Sequence, residues 1–143
     1  MKSFTIPYNA PAEKPEIRGT FTFSDGNYIP VRRLLLAPAN PVTLLSKKLV
    51  SEFGSIKATR KRPSSLKSDY LIIGKIRLQL TFAEATIALK SEDGMLVWPA
   101  PLAFWDGPYN ALGWGGALEY LCPEFEKSKI KLTPSESFPG VSK

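Results

Sequence analysis

Residues 34–54 read LLLAPANPVTLLSKKLVSEFG, and the fold turns on how this stretch is parsed. Leu34-Leu35-Leu36 is an apolar run of strand length that stops at a cluster of breakers, Ala37-Pro38-Ala39-Asn40-Pro41. It predicts a buried strand ending in a tight loop. Beyond the loop, Val42, Leu45, Leu49 and Phe53 recur at helical intervals, with Ser46, Lys47, Lys48, Ser51 and Glu52 between them. Gly54 follows where a helix C-terminus favours glycine. The spacing predicts a short amphipathic helix joined to the strand without a spacer.

A second ordered unit lies at residues 98–121, WPAPLAFWDGPYNALGWGGALEYL. It reads as a strand, a turn at Asp106-Gly107-Pro108 and the tripeptide Ala111-Leu112-Gly113. Together the two stretches resemble the retropepsin-like aspartic proteases. In that family an apolar strand and a segment of the type seen here as Val42-Thr43-Leu44-Leu45-Ser46 flank a loop that carries Asp-Thr-Gly-Ala. Ala37-Pro38-Ala39-Asn40 stands in those four places. Ala111-Leu112-Gly113 fits the signature that opens the family's helix, which the resemblance places near Gly115 to Leu121, but Trp114 and Gly115 replace the usual Arg-Asp pair. The likeness spans roughly residues 18–134.

The resemblance implies an all-β fold, a retropepsin-like closed β-barrel with one short C-terminal helix. It divides the chain into an N-terminal extended arm over 1–17, a barrel domain over 18–134 and a flexible tail over 135–143. It also implies a homodimer, with terminal strands interlaced across the subunit interface and a flap hairpin folded over bound peptide.

The remaining chain supplies strand and turn signals. Gly19-Thr20-Phe21-Thr22-Phe23 and Tyr28-Ile29-Pro30-Val31 flank Ser24-Asp25-Gly26-Asn27, a hairpin signature that explains Asp25. Ser3-Phe4-Thr5-Ile6 is a short strand candidate, against the alternative of a frayed end. Ile76, Leu78, Leu80 and Phe82 alternate with Lys75, Arg77, Gln79 and Thr81, as in a half-exposed strand. Ala85 to Leu89 and Met95 to Trp98 flank a turn at Ser91-Glu92-Asp93-Gly94, and Lys129 to Leu132 reads as a terminal strand.

Composition narrows the chemistry. The 143 residues are 43% hydrophobic and 22% charged, one domain's worth of globular sequence. No apolar run approaches the length of a membrane span, and the first residues lack the apolar centre of a signal peptide, so a soluble cytoplasmic protein is expected. The chain has no histidine, which removes Ser-His-Asp and Cys-His catalysis and histidine-ligated metal sites. Its single cysteine, Cys122, allows no internal disulfide and reads as a semi-buried small side chain. No cofactor or metal is expected.

Carboxylate chemistry remains, and an aspartic protease of this size needs one Asp from each of two subunits to share a proton and polarise a water. Ala37 can do neither. Pro38 lacks a hydroxyl and an N–H, and Ala39 tolerates glycine's backbone angles poorly. Asp25, Asp93 and Asp106 belong to turns and Asp69 precedes a strand, while Ser46-Lys47 points its two side chains about 100° apart on a helix. The expectation is a non-catalytic, aspartic-protease-like module for protein interaction or dimerisation.

Two alternatives stand beside it. The net charge of +6 and the segment from Lys57 to Lys67, with five cations and no acid, suggest a polyanion or nucleic-acid binder through Arg60, Lys61, Arg62 and Lys67. Charges repelling one another into solvent account for the same segment. An active aspartic-type peptidase with an unorthodox site is the other, without a positive sequence feature. Trp114 joins the four cations as a binding candidate, and the partner expected first is a second copy or an extended peptide rather than nucleic acid or a membrane.

Overall fold

The computed structural model describes residues 2–9, 14–52, 62, 66 and 68–143. In chain order the strands are β1 (Phe4–Pro7), β2 (Glu16–Phe23), β3 (Tyr28–Leu36), β4 (Thr43–Ser46), β5 (Tyr70–Ile73), β6 (Ile76–Gln79), β7 (Thr81–Ser91), β8 (Gly94–Trp105), β9 (Asn110–Leu112), β10 (Glu124–Phe125), β11 (Lys129–Leu132) and β12 (Val141–Ser142). A one-turn helix, α1 (Lys47–Ser51), follows β4, and a 3-10 turn covers Leu118–Tyr120.

Six strands close on themselves in the order β8, β4, β9, β3, β2, β7 and back to β8, so the all-β expectation and the closed barrel are both met. The turn chemistry drives two of its hairpins. Gly26 takes φ +89° between β2 and β3, where the Asp25 carboxylate accepts hydrogen bonds from the Asn27 N–H at 2.9 Å and its side-chain amide at 3.0 Å. Gly94, at φ +144°, turns β7 into β8, and the two strands then pair along their length from Ser91↔Gly94 to Thr81↔Phe104.

β8 changes its second neighbour along its course: β12 pairs at Leu96 and Val97, and β4 at Leu102 to Trp105. Pro99 and Pro101 occupy the interval between, where the missing N–H breaks no ladder.

Alternation along the strands turns one set of side chains inward. Ile17, Phe21, Ile29, Leu34, Ile87, Leu89, Leu96 and Trp98 form the barrel interior, each buried. A smaller cluster of Val42, Leu44, Leu66, Leu80, Phe82, Ala103 and Trp105 lies on the other side of β4 and β8, with Leu71 and Leu78 packed against it. The two-stranded hairpin β5–β6 rests on this second cluster.

That cluster explains the first departure from the sequence reading. The helix expected from Val42 onward is a strand through Ser46, and only Lys47–Ser51 is helical. Leu45 faces the main core while Val42 and Leu44 face the second one, so both sides of β4 are covered. A strand buried on both faces is apolar throughout and loses the alternation that would mark it.

The helix expected over Gly115 to Leu121 shrinks to the 3-10 turn. Gly116 sits at φ +77° with the Pro101 ring against it, which prevents helical backbone at its start. Ala117, Leu118 and Leu121 are buried all the same, so the segment is a core plug without a helix.

Both chain ends are tied in. β1 pairs with β11 in register Phe4↔Leu132, in a three-stranded sheet ordered β1, β11, β10, so this terminal strand finds its partner within its own chain. The tail expected over 135–143 instead carries β12. Phe138 packs on Trp98 with ring centroids 5.7 Å apart, and Lys143 and Met95 exchange backbone hydrogen bonds at 2.9 Å each way. Cys122, expected to be semi-buried, is exposed and has φ +40°. The alternating run from Lys75 also divides: Ile76 is 65% exposed at the hairpin tip, whereas Leu80 and Phe82 are buried. No helix among the described residues is long and apolar enough to cross a membrane.

Candidate functional site

Two connections meet at one end of the barrel, the turn from β3 to β4 and the loop after β9. β3 and β9 run parallel, with Leu36 opposite Leu112, and the Ala37 N–H extends their pairing by donating to Leu112 O at 2.9 Å. The Asn40 N–H then donates to Ala37 O at 3.0 Å, closing a four-residue turn. Pro38 is its second residue, a place where proline's φ is already suitable and no N–H is required.

The loop after β9 clasps this turn. Trp114 N–H donates to Asn40 O at 2.8 Å, Gly115 N–H to Pro41 O at 3.2 Å, and Gly113 N–H to the Thr43 hydroxyl at 3.0 Å. Thr43 is fully buried, so its Oγ1 is the acceptor that lets the Gly113 N–H leave solvent. Gly113 itself is required by the close approach, because a Cβ there would run into the Val42 carbonyl. On the far side of the loop, Trp98 Nε1 donates to Gly116 O at 3.0 Å and Gly116 N–H donates to Glu119 Oε2 at 2.6 Å.

The four residues Ala37, Pro38, Ala39 and Asn40 thus lie together in one turn, with Pro38 and Ala39 exposed. The hydrogen bonds of residues 37–41 run between backbone atoms. Nδ2 of Asn40 is buried and finds no acceptor among the described residues.

The carboxylates singled out in the sequence are occupied elsewhere. Asp25 closes its hairpin turn, Asp93 accepts the Thr5 N–H at 3.2 Å, Asp69 pairs with Arg62 at 3.6 Å, and Asp106 pairs with Lys47 at 3.6 Å. Among the described residues Glu119 is the carboxylate bonded to the clasp, and no group of His, Cys, Asp and Glu could hold a metal ion.

Trp114 is brought to the site: its backbone helps to hold the turn and its side chain is 45% exposed. Of the basic candidates, Arg62 is exposed and bound to Asp69, while Arg60, Lys61 and Lys67 lie outside the described residues. The hairpin β5–β6, which packs on the second cluster, has Gly74 at φ +61° in its tip, with Ile72 and Ile76 each 65% exposed. Sequence reasoning passed over Thr43, whose only signal was a hydroxyl in an otherwise apolar run. It also passed over Asn110, whose side-chain oxygen accepts the Ser46 N–H at 2.8 Å and ties β9 to the end of β4.

Compared with known protein families, with curated proteins and with solved structures, the chain finds no match in any of the three.

Proposed function

We propose that this chain is a non-catalytic relative of the retropepsin-like aspartic proteases, and that the barrel end bearing the 37–40 turn binds another protein. The partner is an extended peptide or a second copy of the chain. The observation that carries this reading is the turn itself: a backbone-clasped loop made of Ala37, Pro38, Ala39 and Asn40, the four residues that the resemblance aligns with the family's catalytic loop, with Pro38 and Ala39 exposed.

The order of elements supports the same reading. β3, the turn, β4, β8 and β9 followed at once by Gly113 keep the order of the two matched segments, with a 3-10 turn where the family has its helix. The exposed side chain in the clasp is Trp114, an aromatic residue of the kind enriched where protein surfaces meet.

Incubation of the purified chain with unfolded casein from about pH 4 to pH 7.5 should release no fragments, since a single paired-carboxylate proton is needed for turnover. Cleavage sensitive to pepstatin would overturn the proposal. Sedimentation of the wild type beside a Trp114→Glu variant separates the two partners: a dimer lost in the variant identifies a second copy.

A further inference from the structure

The outer wall of the barrel carries a second feature, over β2, β3 and β7. Between the pairs Ile17↔Leu34 and Gly19↔Val31, β2 advances two residues and β3 three. This bulge sets Arg32 and Arg33 together against Arg18, and both are exposed although Val31 and Leu34 on either side are buried. On the other edge of β2, Thr20 faces Ala88, and the same register carried two residues further puts Arg18 beside Lys90. Neighbouring strands are about 5 Å apart, so Arg32, Arg18 and Lys90 form a row of three cations across adjacent strands.

Like charges opposite one another weaken a sheet, and natural sheets answer them with acids. Arg33 has such an answer in Glu16, at 3.2 Å. Arg32, Arg18 and Lys90 have no carboxylate partner among the described residues. Beneath them the wall is concave. The Gly19 backbone and the short side chains of Thr20 and Ala88 floor a depression of about 330 Å³, with Pro30 and Met95 among its walls.

From these observations we infer that the depression binds a small molecule with a phosphate group on a compact apolar body. The three cations supply charge-assisted hydrogen bonds to the phosphate oxygens, and the floor accepts the apolar part. The volume lies at the lower end of the range for small-ligand sites. A polymer fits less well: the adjoining depression, which shares Pro30 and Arg32, is lined by Glu52 and the already paired Arg33, so the positive row does not continue as a track. The inference is independent of the reading of the 37–40 turn.

Titration of the isotopically labelled full chain with phenyl phosphate, followed by amide NMR, tests it. Saturable shifts are expected at Thr20 and Ala88, weaker binding of inorganic phosphate and none of phenol. Arg18→Gln with Lys90→Gln should weaken binding at least about tenfold, and Arg18→Lys with Lys90→Arg should keep most of it. Without phosphate, the Gln variant should melt no lower than the wild type, because it relieves repulsion. Absence of saturation by about 10 mM, equal binding by the Gln variant, or a lower melting point would each overturn the inference. So would decathymidylate binding more tightly than phenyl phosphate and displacing it, a result that would assign the row to nucleic acid instead.

Discussion

The Thr43 hydroxyl and the bare Cα of Gly113 hold the candidate site together. Thr43→Val keeps the shape of the side chain but strands a buried N–H, and should cost about 1–3 kcal/mol in urea denaturation. Gly113→Ala forces a methyl group into the Val42 carbonyl and should cost at least about 2 kcal/mol by the same measurement. Losses below about 0.5 kcal/mol in both would show that the clasp is not what holds the turn. At this scale the sequence was legible where side-chain chemistry is local. Asp25 was explained by its turn because its bonds reach only two residues along the chain. Thr43 was not, because its partner lies 70 residues away. Cys122 was misjudged because neighbouring apolar letters do not reveal a single residue turned outward at positive φ.

At the scale of elements, hairpins with a turn signal were readable and segments covered on both faces were not. The Asp-Gly and Glu-Asp-Gly turns gave β2–β3 and β7–β8, since the turn residue and the alternating flanks point to the same structure. For β4 the apolar spacing from Val42 to Leu49 suits a helix as well as a doubly buried strand, and tertiary contacts decide. The C-terminal segment was obscured differently: its polar letters describe its solvent side, while one ring, that of Phe138, secures it to Trp98. Phe138→Ala should therefore destabilise by about 1–3 kcal/mol and speed amide exchange at Leu96 and Val97, the partners of β12. Unchanged exchange there would mean that the ladder holds without the ring.

For the whole molecule, the strand and turn signals were legible along the chain, closure of the barrel was expected only from the resemblance, and the sheet order was not legible. The parallel pairings β3–β9 and β4–β8 join residues far apart in sequence, and no local signal specifies them. Charge acts at this scale as well. Tyr8, whose N–H donates to Ser128 O, has its phenol pushed above the ordinary value by burial, partly offset by a backbone hydrogen bond at Glu126 and helped last by the Glu126 charge. A folded-state value above the unfolded one means that the native chain holds this proton more tightly. The associated stability is fully present below about pH 10 and is lost as pH rises through the folded value. Urea denaturation from about pH 9 to pH 11.5 should show that decline, reduced in Tyr8→Phe. A Tyr8→Phe profile identical to the wild type would refute the assignment. Between about pH 5.5 and 7.5 the absence of histidine leaves a flat profile as the expectation.

A cylinder of strands spends its main-chain donors and acceptors around its circumference, and among the described residues the strand added to it sideways is β12, on β8 at Leu96 and Val97. The β5–β6 ribbon differs, because among the described residues it is a sheet of two strands, each with a neighbour on one side only. A visiting chain that lay along either rim would be gripped through its backbone, whatever its side chains, apart from alternate positions that had to sit beside Ile72 or Ile76. Selectivity by such a surface would be loose in letter and strict in shape: straight, unfolded segments admitted, compact ones refused.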